Sequence, residues 1–154
     1  MGINPNDLRR LIRNILHQVE LWSPEAEELL LGTAAVESGL GSRLYQIGHG
    51  PAMGIMQMEP ATERSLWDDY LSYRPKLRGM IEAVTARSGP GQWLAWDLAY
   101  QIIMARIKYR TIPEPLPGTD DITGQARYWK QWYNTPAGAG KVEDYVDAVR
   151  RLVR

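Results

Sequence analysis

The residues with the strongest chemical potential gather between Val36 and Thr62. Glu37 and Ser38 end an apolar segment, and Gly39 and Gly41 follow as helix terminators. A glycine- and methionine-rich stretch, Gly50-Pro-Ala-Met-Gly-Ile-Met-Gln57, then returns toward them. A carboxyl group at the wall of an apolar cleft has a raised pKa and holds its proton near neutral pH. That is the requirement for a general acid acting on a glycosidic oxygen.

The segment before Glu37 explains its placement. Ser23 suits an N-cap, Pro24 the first helical position, and Glu25, Glu27 and Glu28 the positive end of the helix dipole. Ala26, Leu29, Leu30, Thr33, Ala34 and Glu37 recur at three- and four-residue steps, so Glu37 shares the apolar stripe. A single helical Glu is usually solvated; its place on this stripe, just before a glycine stop, argues for a site.

Three pieces of the sequence together resemble the soluble lytic transglycosylase domain. Glu37-Ser38 is similar to its Glu-Ser signature. Gly54-Ile55-Met56-Gln57, with Pro60 and Thr62 after it, is similar to its Gly-Leu-Met-Gln element. Tyr133-Asn134, then Gly138-Ala-Gly140, Val142 and Tyr145, resembles its third signature. The order agrees over residues 25 to 150, and Gln46 to Gly54 resembles phage-encoded members. The Glu37–Gln57 interval and the turn after Asn134 are longer than in the family, and Gly50-Pro51-Ala52-Met53 replaces its usual Gly-Ala.

The resemblance implies a lysozyme-like fold of goose-type or lytic transglycosylase architecture. It implies cleavage of the MurNAc-β-1,4-GlcNAc bond of peptidoglycan with formation of a 1,6-anhydro ring. Glu37 would be the sole acid/base and no cofactor would be needed. Gln57 would bind sugar or N-acetyl groups, Tyr133 would orient Glu37, and Asn134 would fix the turn or touch a sugar. Met53 and Met56 would line the cleft, or fill the core as methionine commonly does. Ser38 lacks a nucleophile elbow and is expected to bond locally. His49, in the glycine-rich loop, is a candidate substrate contact.

Composition limits the other classes. Lys+Arg and Asp+Glu number 18 each, which argues against a nucleic-acid partner. Cys is absent and only His17 and His49 are present, so neither disulfides nor a zinc site are expected. No apolar run approaches the ~20 residues of a membrane span. The first helix, capped by Asn4-Pro5 and interrupted by Arg9, Arg10 and Arg13, does not read as a signal peptide. The expectation is synthesis in a host cytoplasm and action on glycan strands in the periplasm or cell wall, with delivery by a phage holin or virion components.

At 154 residues the chain is expected to form one domain, 1–154. Further helices are predicted from Pro60 toward Tyr70, from Pro75, over 92–110 as the central buried helix, over 121–133, and from Val142 onward. Residues 112–118 should be extended, and a small hairpin fits within 43–53. The fold class is all-α, or mainly α with that hairpin. Two alternatives stay open. One is a hydrolytic lysozyme (muramidase) using a second carboxylate among Glu59, Asp68, Asp69 and Asp97. The other is a non-catalytic virion structural protein or cell-wall binder.

Overall fold

The computed structural model describes residues 1–154. The fold is all-α, with eight α-helices: α1 Pro5–Gln18, α2 Pro24–Ser38, α3 Pro60–Ser65, α4 Pro75–Thr85, α5 Trp93–Trp96, α6 Leu98–Arg110, α7 Ile122–Trp129 and α8 Val142–Leu152. Four of them, α1 to α4, begin on a proline, where the missing N–H costs nothing. Asn4 and Ser23 cap the first two as their spacing predicts, accepting from Asn6 N at 2.9 Å and Ala26 N at 3.1 Å.

Two helices form the centre. Ten of the fifteen residues of α2 are buried, and nine of the thirteen in α6. A helix apolar on all sides must be enclosed on all sides. Helices α1, α6, α7 and α8 all pack against α2, so its C-terminal end opens where these neighbours run out. Glu27 is buried in this arrangement. Arg13 donates to both of its oxygens at 2.7 and 2.8 Å, and the Trp22 indole adds a bond at 2.7 Å. Burial pushes the Glu27 carboxyl up, but these donors outweigh it and hold it below its ordinary range.

Four elements differ from the sequence expectation. The helix predicted over 92–110 is divided at Asp97, whose Oδ1 accepts from Tyr100 N at 3.0 Å and starts α6 afresh. Helix α3 passes into a π-helical turn, Leu66–Tyr70, and a 3-10 turn, Leu71–Tyr73. Helix α7 likewise ends in a π-helical turn, Lys130–Asn134. The hairpin within 43–53 is reduced to one isolated antiparallel bridge, Tyr45 to Met53, and Met53 makes a second to Met58. Residues 112–118 are non-helical, as expected; Glu114 O and Gly118 O accept from Tyr128 and Gln125. No helix is long and apolar enough to cross a membrane.

Helices α2 and α8 approach closely at Gly32. A Cβ there would run into the Tyr145 ring and hydroxyl, and Tyr145 is fully buried. Gly32→Ala is therefore expected to overpack this contact and destabilise by about 1–3 kcal/mol. Thermal melting checks it: about 2–4 °C of Tm is lost per kcal/mol in a chain of this size. In a Tyr145→Phe background the added penalty should shrink, because the colliding hydroxyl is gone.

Candidate active site

Glu37 sits in the last turn of α2, which stops because Gly39 takes the left-handed conformation at φ 61°. Its carboxyl lines an open cleft of about 540 Å³. Four of the fifteen cleft residues are hydrophobic, which suits a polar, sugar-like ligand better than an apolar one. The Trp129 indole N–H donates to Glu37 Oε1 at 2.9 Å. Burial pushes the carboxyl up to about 7, against the pull of the Trp129 bond and the Lys108 and Arg43 charges. The result is a group poised to give and retake a proton near neutrality.

The turn facing Glu37 is fixed through its backbone. Ser38 Oγ donates to Ile55 O at 2.7 Å and accepts from Gly41 N at 2.8 Å. Gln101 Oε1, from α6, accepts from Ile55 N at 2.6 Å. The Tyr133 hydroxyl donates to Met56 O at 2.7 Å. Gly54, at φ 83°, has no room for a Cβ, which would strike Leu94 O and the Gln101 side chain. Gln57 follows with φ 47°, lines the cleft, and donates from Nε2 to Gly54 O at 2.9 Å.

Glu37, Gln57, Tyr133 and Asn134 therefore meet in one cleft, and Ser38 supports it from beneath by local bonds. Other expectations need correction. Tyr133 does not orient Glu37 by a hydrogen bond. Its hydroxyl is committed to Met56 O, and Trp129 bonds the carboxyl instead. Met56 is not cleft wall: its side chain is 1% exposed within the core, and only its carbonyl serves the site. Met53 is half-buried against that core and does not line the cleft either. His49 is exposed on the loop, at φ 63°, and lies outside the cleft lining. Asn134 holds the turn, its Oδ1 accepting from Lys130 Nζ at 2.8 Å.

Two lysines, one lining the cleft and one behind its rim, carried no sequence signal. Lys108, from α6, donates to Tyr133 O at 2.8 Å with its ammonium 4.1 Å from the Tyr133 ring centre. Lys130 donates to Asn134 Oδ1, Thr135 O and Gly138 O. Of the other carboxylates, Glu59 lines the cleft. Asp97 instead caps α6 and pairs with Arg87 at 3.0 Å, while Asp69 accepts from Ser65. Asp68 does not line the cleft. A lysine in the last turns of α6, or a Trp four residues before Tyr133, carries no chemistry until the fold is known. Compared with known proteins, the chain matches no protein-family model, no curated protein and no solved structure.

The hydrogen bonds separate two neighbouring aromatics. Trp129→Phe removes a donor to the carboxylate and is expected to raise the Glu37 pKa further, seen by carboxyl ¹³C NMR titration. Tyr133→Phe leaves Met56 O buried and unpaired, so it should cost about 1–3 kcal/mol of stability. If Tyr133→Phe shifts the titration as far as Trp129→Phe, the assignment of the orienting donor is wrong.

The raised carboxyl also sets a stability trend. The folded chain binds a proton that the unfolded chain has lost between pH 4.5 and about 7. Glu37 therefore lowers stability as pH rises through that window. Glu37→Gln should gain in Tm relative to wild type between pH 5 and pH 8, and a constant difference across that range would refute the trend.

Proposed function

We propose that this chain cleaves the glycan strands of peptidoglycan, with Glu37 as its acid/base and a lytic transglycosylase outcome on a lysozyme-like fold. One observation carries the reading: a half-buried carboxyl with its pKa raised to about 7 stands at the wall of a polar cleft, bonded by one indole N–H. It is supported by the convergence of Gln57, Tyr133 and Asn134 on that same cleft, where the resemblance to transglycosylases requires them. On this reading a phage holin or particle brings the protein to its glycan.

The chemistry follows from the proton inventory. Protonated Glu37 gives its proton to the bridging oxygen as the C1–O bond of the muramoyl residue breaks. The substrate's N-acetyl oxygen covers the developing positive charge at C1. Glu37, now a carboxylate, takes the proton of the muramoyl C6 hydroxyl as O6 bonds to C1. The carboxyl ends as it began, and no water is consumed. Trp129 assists by steadying the carboxylate between the two transfers, since an indole N–H favours the charged form. Glu59 in the same cleft is the specific feature favouring the alternative, hydrolysis, because a second carboxylate could activate water.

Glu37→Gln is expected to retain the fold and lose roughly 100-fold or more of cell-wall cleavage. Clearing of a sacculus suspension at near wild-type rate by the folded variant would remove Glu37 from the mechanism. The wild-type rate should fall as pH rises through about 7, because the acid must start protonated. Mass spectrometry of the products decides the reaction type. 1,6-Anhydromuramoyl ends are expected, and reducing muramic acid ends would instead make the enzyme a hydrolase with Glu59 as second carboxylate.

A further inference from the structure

The cleft does not end at Lys108. A second depression of about 390 Å³ shares Thr62 and Lys108 with it, so the two adjoin at the Lys108 side chain. The character of the wall changes there. Half of the eight residues of the annex are hydrophobic, among them Leu66, Ile112 and Trp132, against four of fifteen in the cleft.

Lys108 is the unusual element. An ammonium carries three donors, and this one spends a single bond in the protein, to Tyr133 O at 2.8 Å. The Tyr133 ring beneath it, 4.1 Å from Nζ to ring centre, holds the head in place without using a donor. Burial lowers its pKa, with Glu37 and Glu59 opposing that effect. A half-buried cation with spare donors, facing a groove, is arranged to receive an anion from that groove.

We infer that the annex takes the peptide stem carried by the glycan strand, with Lys108 binding a carboxylate of that stem at the junction. This inference rests on the reading of the cleft as a peptidoglycan site. The ligand must be sugar on one side of the ammonium and, beyond it, bear a carboxylate and small apolar side chains. A peptidyl-glycan has that order of groups. A glycan stripped of its peptide still offers one carboxylate, on the lactyl ether, but nothing to fill the apolar annex.

Binding, measured by titration calorimetry, tests this without requiring turnover. Three ligands are compared: a disaccharide bearing a peptide stem, the same disaccharide with a free lactyl acid, and chitobiose. Wild type should bind the stem-bearing ligand about 10-fold or more tightly than the lactyl acid. Lys108→Met should abolish that preference. Ala61→Trp, on the exposed first turn of α3 at the annex wall, should do the same without touching the Tyr133 anchor. Equal wild-type affinity for stem-bearing and lactyl ligands would overturn the inference, as would a preference that survives Ala61→Trp. The two readings fail differently. A preference present without cleavage of sacculi sinks the reaction and keeps the annex, whereas cleavage without preference keeps the reaction and sinks the annex.

Discussion

The turn from Gly54 to Gln57 is held by three side chains from three different elements, and the rest of the site is arranged around that clamp. Ser38 reaches it from α2, Gln101 from α6 and Tyr133 from the π-helical turn after α7. All three side chains are buried. Each meets a different backbone group, so no two can substitute for one another. A buried amide or carbonyl left without a partner costs about 1–3 kcal/mol, which makes each of these bonds worth more by its absence than by its presence. Because Ser38 follows Glu37 directly, the bond that anchors the turn also fixes the distance from the turn to the carboxyl.

The same enclosure that steadies the turn charges the site with its chemistry. Helix α2 is buried on nearly every side, so a carboxyl in its last turn sits at a boundary between core and cleft. Desolvation raises its pKa, and the opposing pulls of Trp129, Lys108 and Arg43 stop the rise at about 7. Glu27 makes the instructive contrast on the same helix. It too is buried, but two bonds from Arg13 and one from Trp22 hold it ionised and inert. One donor leaves a carboxyl titratable near neutrality, and three do not.

Much of this was legible in the chain. Caps at Asn4 and Ser23, prolines at helix starts and the glycine stop after Ser38 are local signals, and local signals survive folding. The meeting of Glu37, Gln57, Tyr133 and Asn134 in one cleft followed from motif resemblance. What failed was the choice of partner. In a regular helix Trp129 and Tyr133, four residues apart, share a face. The π-helical turn over Lys130–Asn134 inserts an extra residue per turn and rotates one against the other. The indole is then left to the carboxyl and the phenol to Met56 O. Nothing in the letters announces a π-helical turn. The same holds for the break at Asp97, which depends on a side chain preferring its own backbone over continuing a helix. Met56 was assigned to the site by its place in the Gly-Ile-Met-Gln element and His49 by its loop position, yet one side chain faces the core and the other faces solvent.

Two lysines show how hydrogen-bond capacity separates scaffold from surface that meets a ligand. Lys130 places its three donors on Asn134 Oδ1, Thr135 O and Gly138 O, at 2.8, 2.9 and 2.9 Å. An ammonium has no fourth, so Lys130 is spent on shaping the loop that forms one rim of the cleft. Lys108 gives one bond to the same segment, at Tyr133 O. Both residues line up behind the same turn, and both keep its carbonyls satisfied. Only one retains donors that no protein atom claims. The burial of that head is costly unless something returns to those donors. In an open cleft water can do so, and on the inference drawn above a ligand carboxylate would take its place and offset the cost of keeping Lys108 half-buried.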